Sequence, residues 1–278
     1  MIAYCHAEVD ILRWNGYKHQ EVDGCKVGRF NLGINTQFIV YRIGDTVIDA
    51  GPSNQWRHVK SFLKKSPVRQ LLLTHHHEDH SGNAQRIADQ FKIMPKAPRL
   101  SQQKLANGYP TPMVQKIIWG NPKKTKSQPL AETEYLSDGS VIQPVHTPGH
   151  AKDLTCYLLP KQSYFFSGDL FIARNLKLLR SDEDLPLLIN SLRKAVALDF
   201  ETMFCPHGGI FTNGKEMLST KLNNILALCE QAQTLSKEGF EIDQITLKLL
   251  GPEGAVGKLS GGNFSKLNMI KECLRVTV

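Results

Sequence analysis

The 278-residue sequence contains no apolar run of about 18 residues and no Cys-x-x-Cys pair. Without such a run we expect no membrane-spanning helix. The six cysteines are scattered, which argues against a zinc ribbon or a disulfide framework. The beginning of the chain also lacks the uninterrupted apolar core of a secretory signal, because His6, Glu8 and Asp10 fall within it. We therefore expect a cytoplasmic protein whose thiols are reduced and buried.

Acidic residues are missing from one long segment. The chain carries 34 Lys and Arg against 26 Asp and Glu, a formal net charge of +8. Residues 92–126 contain eight Lys and Arg and no Asp or Glu, so this segment alone accounts for the excess of the whole chain. Such a stretch is typical of a protein that binds anions, and no basic amphipathic helix favours a membrane. A solvated surface without a ligand is the alternative.

The residues that are present, 41% hydrophobic and 22% charged, are enough for a sizeable core. Strand-like and helix-like patterns alternate over 1–212, which predicts a layered α/β domain. Helical patterns alone follow, so we assign 213–278 to a helical segment that packs on this domain, caps it or forms a homodimer interface. Two helix starts are predicted from capping residues, at Ser53 for a helix over 54–65 and at Ser181 before three acidic residues.

Histidine is concentrated in one place, with four of the ten between positions 75 and 80. The cluster follows a short apolar run, Gln70 to Leu73, that predicts a buried strand. In an extended chain His75 and His77 project to one side, whereas His76 and Glu78 project to the other. Imidazole nitrogen and carboxylate oxygen are ligands of zinc. We therefore expect two metal ions here, with these ligands from the cluster: His75, His77, Asp79 and His80.

Three more candidate ligands lie at the ends of predicted strands. His150 ends the sequence His-Thr-Pro-Gly-His, Asp169 follows a strand over 163–166, and His207 follows a strand over 202–205. These side chains converge with the histidine cluster if the strand ends share one edge of a pair of sheets. Two metal ions need these additional ligands, because the cluster alone does not fill both sites.

The order of these motifs resembles the metallo-β-lactamase superfamily over residues 30–212. The shared pattern is H-x-H-x-D-H, a His after a T-P-G turn, a G-D and a last His. The resemblance implies a four-layer αββα sandwich with a helical C-terminal extension. It also implies that Asp169 bridges two metals and that Asp49 orients the histidine loop. The remaining implied ligands are His75, His77 and His150 for the first metal and Asp79, His80 and His207 for the second.

Two such metals predict hydrolysis. A water between two Zn²⁺ ions about 3.5–4 Å apart has its pKa lowered toward about 7 and becomes hydroxide, and the same cations stabilise an oxyanion. Asp79 is expected to be both a ligand and the catalytic proton shuttle. Two Zn²⁺ ions are the expected cofactors, although imidazole and carboxylate also suit iron and manganese.

The resemblance narrows the substrate only partly. The histidine segment is close to that of hydroxyacylglutathione hydrolase, but residues 170–177 read Leu-Phe-Ile-Ala-Arg-Asn-Leu-Lys in place of a Gly-Cys-Gly-Arg type loop. This difference argues against glutathione and leaves thioester hydrolysis open. Diiron members use H-x-E-x-D, and His77 departs from that pattern. We therefore predict a hydrolase of a small ester, thioester or lactone. A phosphodiesterase or ribonuclease, and a metal-binding scaffold without catalysis, are the alternatives.

The basic residues suggest how a substrate is held. The acid-free segment 92–126 and a second cluster after Asp169 both predict an anionic small-molecule substrate, such as the phosphates of coenzyme A. A nucleic-acid backbone is the alternative partner. The second cluster consists of Arg174, Lys177 and Arg180. From it we name Arg174 and Lys177 as candidate substrate-binding residues.

Overall fold

The computed structural model describes residues 16–28 and 36–277. The N-terminal residues on which the expectation of no export signal depends, His6 to Asp10, lie outside this range. Within the described chain, none of the helices combines the length and the apolar character that crossing a membrane requires. The five cysteines in the described ranges form no disulfide with one another and are buried, as expected.

The first sheet has seven strands and mixes antiparallel with parallel pairing. Its strands lie in sequence order: β1 (Gly16–His19), β2 (Val22–Val27), β3 (Phe38–Ile43), β4 (Thr46–Ile48), β5 (Gln70–Leu72), β6 (Lys96–Ala97) and β7 (Gln128–Pro129). Strands β3 and β4 pair antiparallel as a hairpin, and β5 then joins β4 in parallel.

The second sheet has six strands and is also mixed. Its spatial order is β14 (Gly209–Phe211), β13 (Thr202–Cys205), β11 (Tyr164–Phe166), β10 (Thr155–Leu159), β9 (Val141–His146) and β8 (Glu134–Tyr135). A separate two-stranded ribbon pairs β12 (Leu179–Arg180) with β15 (Phe264–Ser265). This ribbon ties the C-terminal segment to the stretch after Asp169. The prediction that residues 213–278 contain helices alone is therefore wrong at β15.

The described ranges contain ten α-helices, which lie on the outer sides of the two sheets. In chain order they are α1 (Trp56–Leu63), α2 (Glu78–Ser81), α3 (Ala84–Phe91), α4 (Arg99–Asn107), α5 (Met113–Trp119), α6 (Leu185–Val196), α7 (Gly214–Lys237), α8 (Ile242–Leu250), α9 (Ala255–Leu259) and α10 (Lys266–Arg275). A 3-10 turn over Ser53–Gln55 precedes α1, and the Ser53 hydroxyl caps no helix. It donates to the carbonyl of Trp119 instead, at 3.4 Å.

Three apolar layers separate the sheets and helices, because alternate side chains of a strand face opposite sides. On β3, Phe38 and Val40 pack with α1 and α3, whereas Ile39 and Tyr41 face the second sheet. On β10, Tyr157 faces the first sheet and its neighbours face the C-terminal helices. The layers are therefore helix, sheet, sheet and helix, which is the predicted αββα arrangement.

The C-terminal helices share the outer core with α6 and the second sheet. Leu218 on α7, Ile245 on α8 and Ile270 on α10 are fully buried in the same apolar cluster as Phe165 of β11. Lys221 of α7 is buried with them and donates to the carbonyl of Leu170 at 2.7 Å. The division of the chain at 212/213 and the homodimer interface stay predictions.

The predicted helix start at Ser181 is wrong. Helix α6 begins at Leu185, and its N-cap is Asp184, which accepts from the backbone N–H of Leu187 at 2.8 Å. The two acidic residues before it have other partners: Asp182 pairs with Arg180, and Glu183 contacts His150. In the turn before α6, Asp184 therefore caps the helix, whereas Glu183 contacts the site.

Candidate metal centre

The histidine loop is fixed by one buried aspartate, Asp49. The backbone N–H of Thr74 donates to its Oδ1 at 2.8 Å, and His80 Nδ1 lies 2.7 Å from its Oδ2. Asp49 adopts a left-handed backbone (φ +60°), which turns the chain at the end of β4. Because β4 and β5 run in parallel, their carboxyl ends meet at this edge. The structure thus places Asp49 against the back of the histidine loop.

The first group of ligand atoms comes from His75, His77, His150 and Asp169, all within 4.8 Å of one another. His75 Nε2 lies 2.9 Å from His77 Nδ1, and His150 Nε2 lies 3.1 Å from the same nitrogen. Asp169 Oδ2 lies 3.1 Å from His150 Nε2. The two sheets therefore bring the candidates after β5, β9 and β11 into one buried cluster.

The second group comes from Asp79, His80, Asp169 and His207, again within 4.8 Å. Asp169 Oδ1 lies 3.0 Å from His80 Nε2 and 3.2 Å from His207 Nε2. Asp79 Oδ2 lies 3.4 Å from His207 Nε2. Asp169 belongs to both groups and turns a different oxygen to each, so the structure brings together all seven predicted ligands.

The donor set fits two cations. Each group offers imidazole nitrogens and carboxylate oxygens, which suit zinc, iron and manganese. In two of the histidines, the ring nitrogen that points away from the centre contacts another group of the protein. In metal sites such contacts fix the orientation of the ligand ring. His150 Nδ1 lies 2.7 Å from Glu183 Oε1, and His207 Nδ1 donates to the carbonyl of Gln37 at 2.9 Å. These contacts leave the Nε2 atoms of both rings facing the centre.

The electrostatics agree with a site for cations. Burial holds the pKa values of His75 and His77 well below the usual histidine range, so both rings are neutral near pH 7. Burial would raise the pKa of Asp169, but His80 and His207 oppose it and hold that pKa well below its usual value. Asp169 and its neighbouring carboxylates in turn raise the pKa values of His80 and His207, against the effect of burial. The carboxylates thus draw positive charge to the second group.

His76 and Glu78 belong to neither group. The His76 side chain turns to Asp153, with Nδ1 2.8 Å from Oδ2, and its backbone N–H donates to the same oxygen at 2.9 Å. Glu78 is buried, and burial together with Asp79 raises its pKa to about 7. Both residues are therefore outside the two ligand groups, as the alternation of side chains along the loop predicted.

The sequence analysis gave no role in the site to Glu183 or Asp153, and it did not name Arg180 as a candidate substrate-binding residue. Glu183 lies against His150 but was assigned to a helix start, and Asp153 was not singled out. Arg180 places NH1 3.4 Å from His77 Nε2, while its other two nitrogens pair with Asp182. Its membership of the basic cluster after Asp169 was the available signal.

Arg174 and Lys177 have a different setting from Arg180. Both are exposed, and the carbonyl of Arg174 accepts from Asn224 of α7 at 3.3 Å. Among the described residues, the contact from this basic cluster to the ligand groups is made by Arg180. A role for Arg174 and Lys177 in substrate binding stays a prediction.

Comparison with known proteins gives a family match. Residues 32–207 match the family model described as the metallo-beta-lactamase superfamily. A lactamase-like protein from Pestalotiopsis microspora is 26% identical over 204 residues, which cover 72% of this chain and 57% of that protein. An atrochrysone carboxyl ACP thioesterase from Aspergillus fumigatus is 26% identical over 221 residues, covering 78% of this chain and 63% of that protein. The match thus spans less than two thirds of either curated relative.

Solved structures share the architecture. A beta-lactamase domain protein from Burkholderia ambifaria aligns with a TM-score of 0.69 at 15% identity, covering 94% of this chain and 87% of that one. A metallo-beta-lactamase family protein from Thermus thermophilus aligns with a TM-score of 0.63 at 15% identity, covering 91% of each chain. At 15% identity this likeness confirms the predicted fold and gives no information on the substrate.

Proposed function

This chain belongs to the metallo-beta-lactamase superfamily, and on that premise we propose that it hydrolyses thioesters at a centre of two metal ions. It is a hydrolase of this fold with a His/Asp metal site. The observation that carries the two-metal proposal is the sharing of Asp169 between two complete donor groups. Zinc is the proposed metal, because three imidazoles and a carboxylate in one group are typical zinc ligands.

The thioester is proposed from the relatives. Several proteins at 23–26% identity are named ACP thioesterases. A thioester is a linkage that a centre of two metal ions is suited to hydrolyse. When bound, two such cations would lower the pKa of a water and polarise a carbonyl oxygen. Addition of water to the thioester carbonyl and cleavage of the C–S bond release a carboxylic acid and a thiol.

The side chains around the centre have separate tasks in this proposal. Asp79 holds the position of a proton acceptor, because its carboxylate lies within the second group and is 11% exposed. Burial alone would raise the pKa of Asp79, but His80 and His207 bring that pKa below its ordinary value, so Asp79 is ionised. Arg180 sets a guanidinium charge beside His77, where it can attract an anionic part of the substrate.

The experiment measures thiol release by the metal-loaded full chain. The panel contains acyl-N-acetylcysteamine, acyl-coenzyme A and acyl-glutathione, together with a lactone, whose hydrolysis is followed by acid release because it yields no thiol. We expect thioester turnover that is lost on chelation and returns with zinc, manganese or iron. Asp79→Asn should lower kcat/KM about 100-fold, whereas Asp199→Asn, at an exposed position, should leave it unchanged. Cleavage of single-stranded RNA without thioester turnover, with two metals bound, would overturn the proposal.

A further inference from the structure

We infer that residues 92–126, here called the acid-free segment, form the docking surface for an acidic carrier protein that presents the acyl thioester. This inference rests on the proposed function and adds the partner that delivers the substrate. Its evidence is the charge of the segment, the exposed apolar side chains of its helices, and its contacts with the histidine loop and with His207.

The charge of the acid-free segment is available at the surface. Lys96 forms an ion pair with Glu134, at 2.5 Å. The other seven cations are exposed, and within the described ranges none of them forms an ion pair with an acidic side chain. These seven are Lys92, Arg99, Lys104, Lys116, Lys123, Lys124 and Lys126. Lys92 lies at the end of α3, three of the cations lie on α4 and α5, and the other three lie in the loop after α5, so the charge is spread over several elements.

Apolar side chains accompany these cations. Helix α5 has no buried residue, and Met113 and Val114 at its start are 71% and 45% exposed. Leu100 on α4 is 61% exposed. Aliphatic side chains gain nothing from a phosphate backbone but are buried at protein interfaces, which combine an apolar centre with a charged rim. The surface therefore favours an acidic protein over a nucleic acid.

The acid-free segment is joined to the metal centre on both sides of α5. Before the helix, the Tyr109 hydroxyl donates to the carbonyl of His76 at 2.7 Å. At its end, the Trp119 ring lies 6.4 Å from that of His207, centroid to centroid. The side chain of Asn54 donates to the carbonyl of Ile118 at 2.7 Å. A protein seated on α5 thus lies next to the histidine loop and next to His207 of the second donor group.

This position explains why a carrier suits the surface. A thioester on a flexible arm has to reach a buried centre while the protein that bears it stays outside. Opposite charges on the two surfaces raise the association rate and fix the orientation of the encounter. Lys104 lies at the inner border, with Nζ 3.0 Å from His76 Nε2, so the positive surface continues to the histidine loop.

The test compares one acyl group on two carriers, an acidic acyl carrier protein and N-acetylcysteamine. We expect Lys116→Glu/Lys123→Glu to lower kcat/KM for the protein-borne thioester about 10-fold or more and to leave the small thioester unchanged. The matched control, Lys237→Glu/Lys271→Glu, changes the net charge equally at exposed positions of α7 and α10 and should affect neither substrate. Met113→Ser/Val114→Ser should weaken turnover of the protein-borne thioester alone.

The outcomes separate this inference from the proposed function. Turnover of the small thioester with no effect of Lys116→Glu/Lys123→Glu on the protein-borne one would overturn the docking surface and leave the thioesterase in place. Loss of binding to single-stranded RNA or to phosphatidylglycerol vesicles in that variant, with carrier turnover unchanged, would assign the surface to those ligands and also overturn it. No turnover of either thioester by the unmodified enzyme would contradict the proposed function itself.

Discussion

Asp169 and His80 lie in direct contact, Oδ1 to Nε2 at 3.0 Å, although one follows β11 of the second sheet and the other follows β5 of the first. The second oxygen of Asp169 lies 3.1 Å from His150 Nε2. One carboxylate thus joins two donor groups and two sheets. Its removal should affect the metal content more than removal of a ligand that belongs to one group.

The first prediction concerns this bridge. Asp169→Asn should reduce bound metal from two ions per chain to one or fewer and lower kcat/KM at least 100-fold, because an amide offers one neutral oxygen in place of two charged ones. Elemental analysis after dialysis measures the stoichiometry. Asp199→Asn is the control at an exposed position. Retention of two metals by the Asp169 variant would contradict the shared-ligand interpretation.

The second prediction concerns Asp49, which holds both Thr74 and His80. Asp49→Asn should weaken metal binding about 10- to 100-fold, the range found when partners of metal ligands are removed. Asparagine tolerates the left-handed backbone at this position, so the fold should persist. Competition with a chromophoric chelator measures the affinity, and an unchanged dissociation constant would show that Asp49 has no influence on the ligands.

The third prediction concerns Glu183, whose Oε1 lies 2.7 Å from His150 Nδ1. Glu183→Gln keeps the size of the side chain and removes the charge that supports the imidazole. We expect about a 10-fold or greater loss of affinity for one of the two metals, visible as two separated steps in a calorimetric titration. Glu201→Gln, at an exposed position, should retain the unmodified titration. Identical titrations for the two variants would argue against a role of Glu183 in the centre.

The fourth prediction concerns the turn before His150. Gly149 has φ +141°, and a Cβ there would lie 2.5 Å from the backbone N and Cα of Leu188 on α6. Gly149→Ala should therefore lower the free energy of unfolding by about 3 kcal/mol, since helix backbone cannot move aside easily. Gly139→Ala has φ +81° and open space, so it reports backbone strain alone, about 1–2 kcal/mol. Equal losses in urea unfolding would contradict the close approach of α6.

The fifth prediction concerns pH and Lys221. Burial lowers the pKa of this amine to about 8 from 10.5, while its hydrogen bond to Leu170 persists. Between these two values the unfolded chain binds more protons than the folded one, so the free energy of unfolding rises with pH. The rise amounts to about 3 kcal/mol over the window. Lys221→Met should lack this rise, and parallel stability profiles from pH 7.5 to 10.5 would contradict it.

The seven predicted ligands could be found from the sequence because the signal is local. Two-residue alternation separates His75 and His77 from His76, and each distant ligand follows a recognisable strand. The parallel pairing of β4 with β5 and of β11 with β13 then brings these strand ends to one edge. Strand identity and ligand type therefore gave the candidate ligands, whereas their grouping around two metals came from the resemblance to the superfamily.

Other contacts left no local signal. Glu183 reads as a first-turn acid of α6, and its contact with His150 depends on the turn that Gly149 makes. The ribbon of β12 and β15 pairs two-residue strands that are separated by more than 80 residues, too short for any periodicity to show. The composition shows that residues 92–126 are basic. Only the tertiary structure shows that Tyr109 contacts His76 and that Trp119 lies near His207.

The central claim is that the two donor groups form one dinuclear centre with Asp169 between its ions. Anomalous scattering at the metal edge, from crystals of the full chain grown with excess zinc or manganese, tests this directly. We expect two peaks about 3.5–4 Å apart, each within bonding distance of a different oxygen of Asp169. A single fully occupied peak, or two peaks of which only one contacts Asp169, would contradict the account.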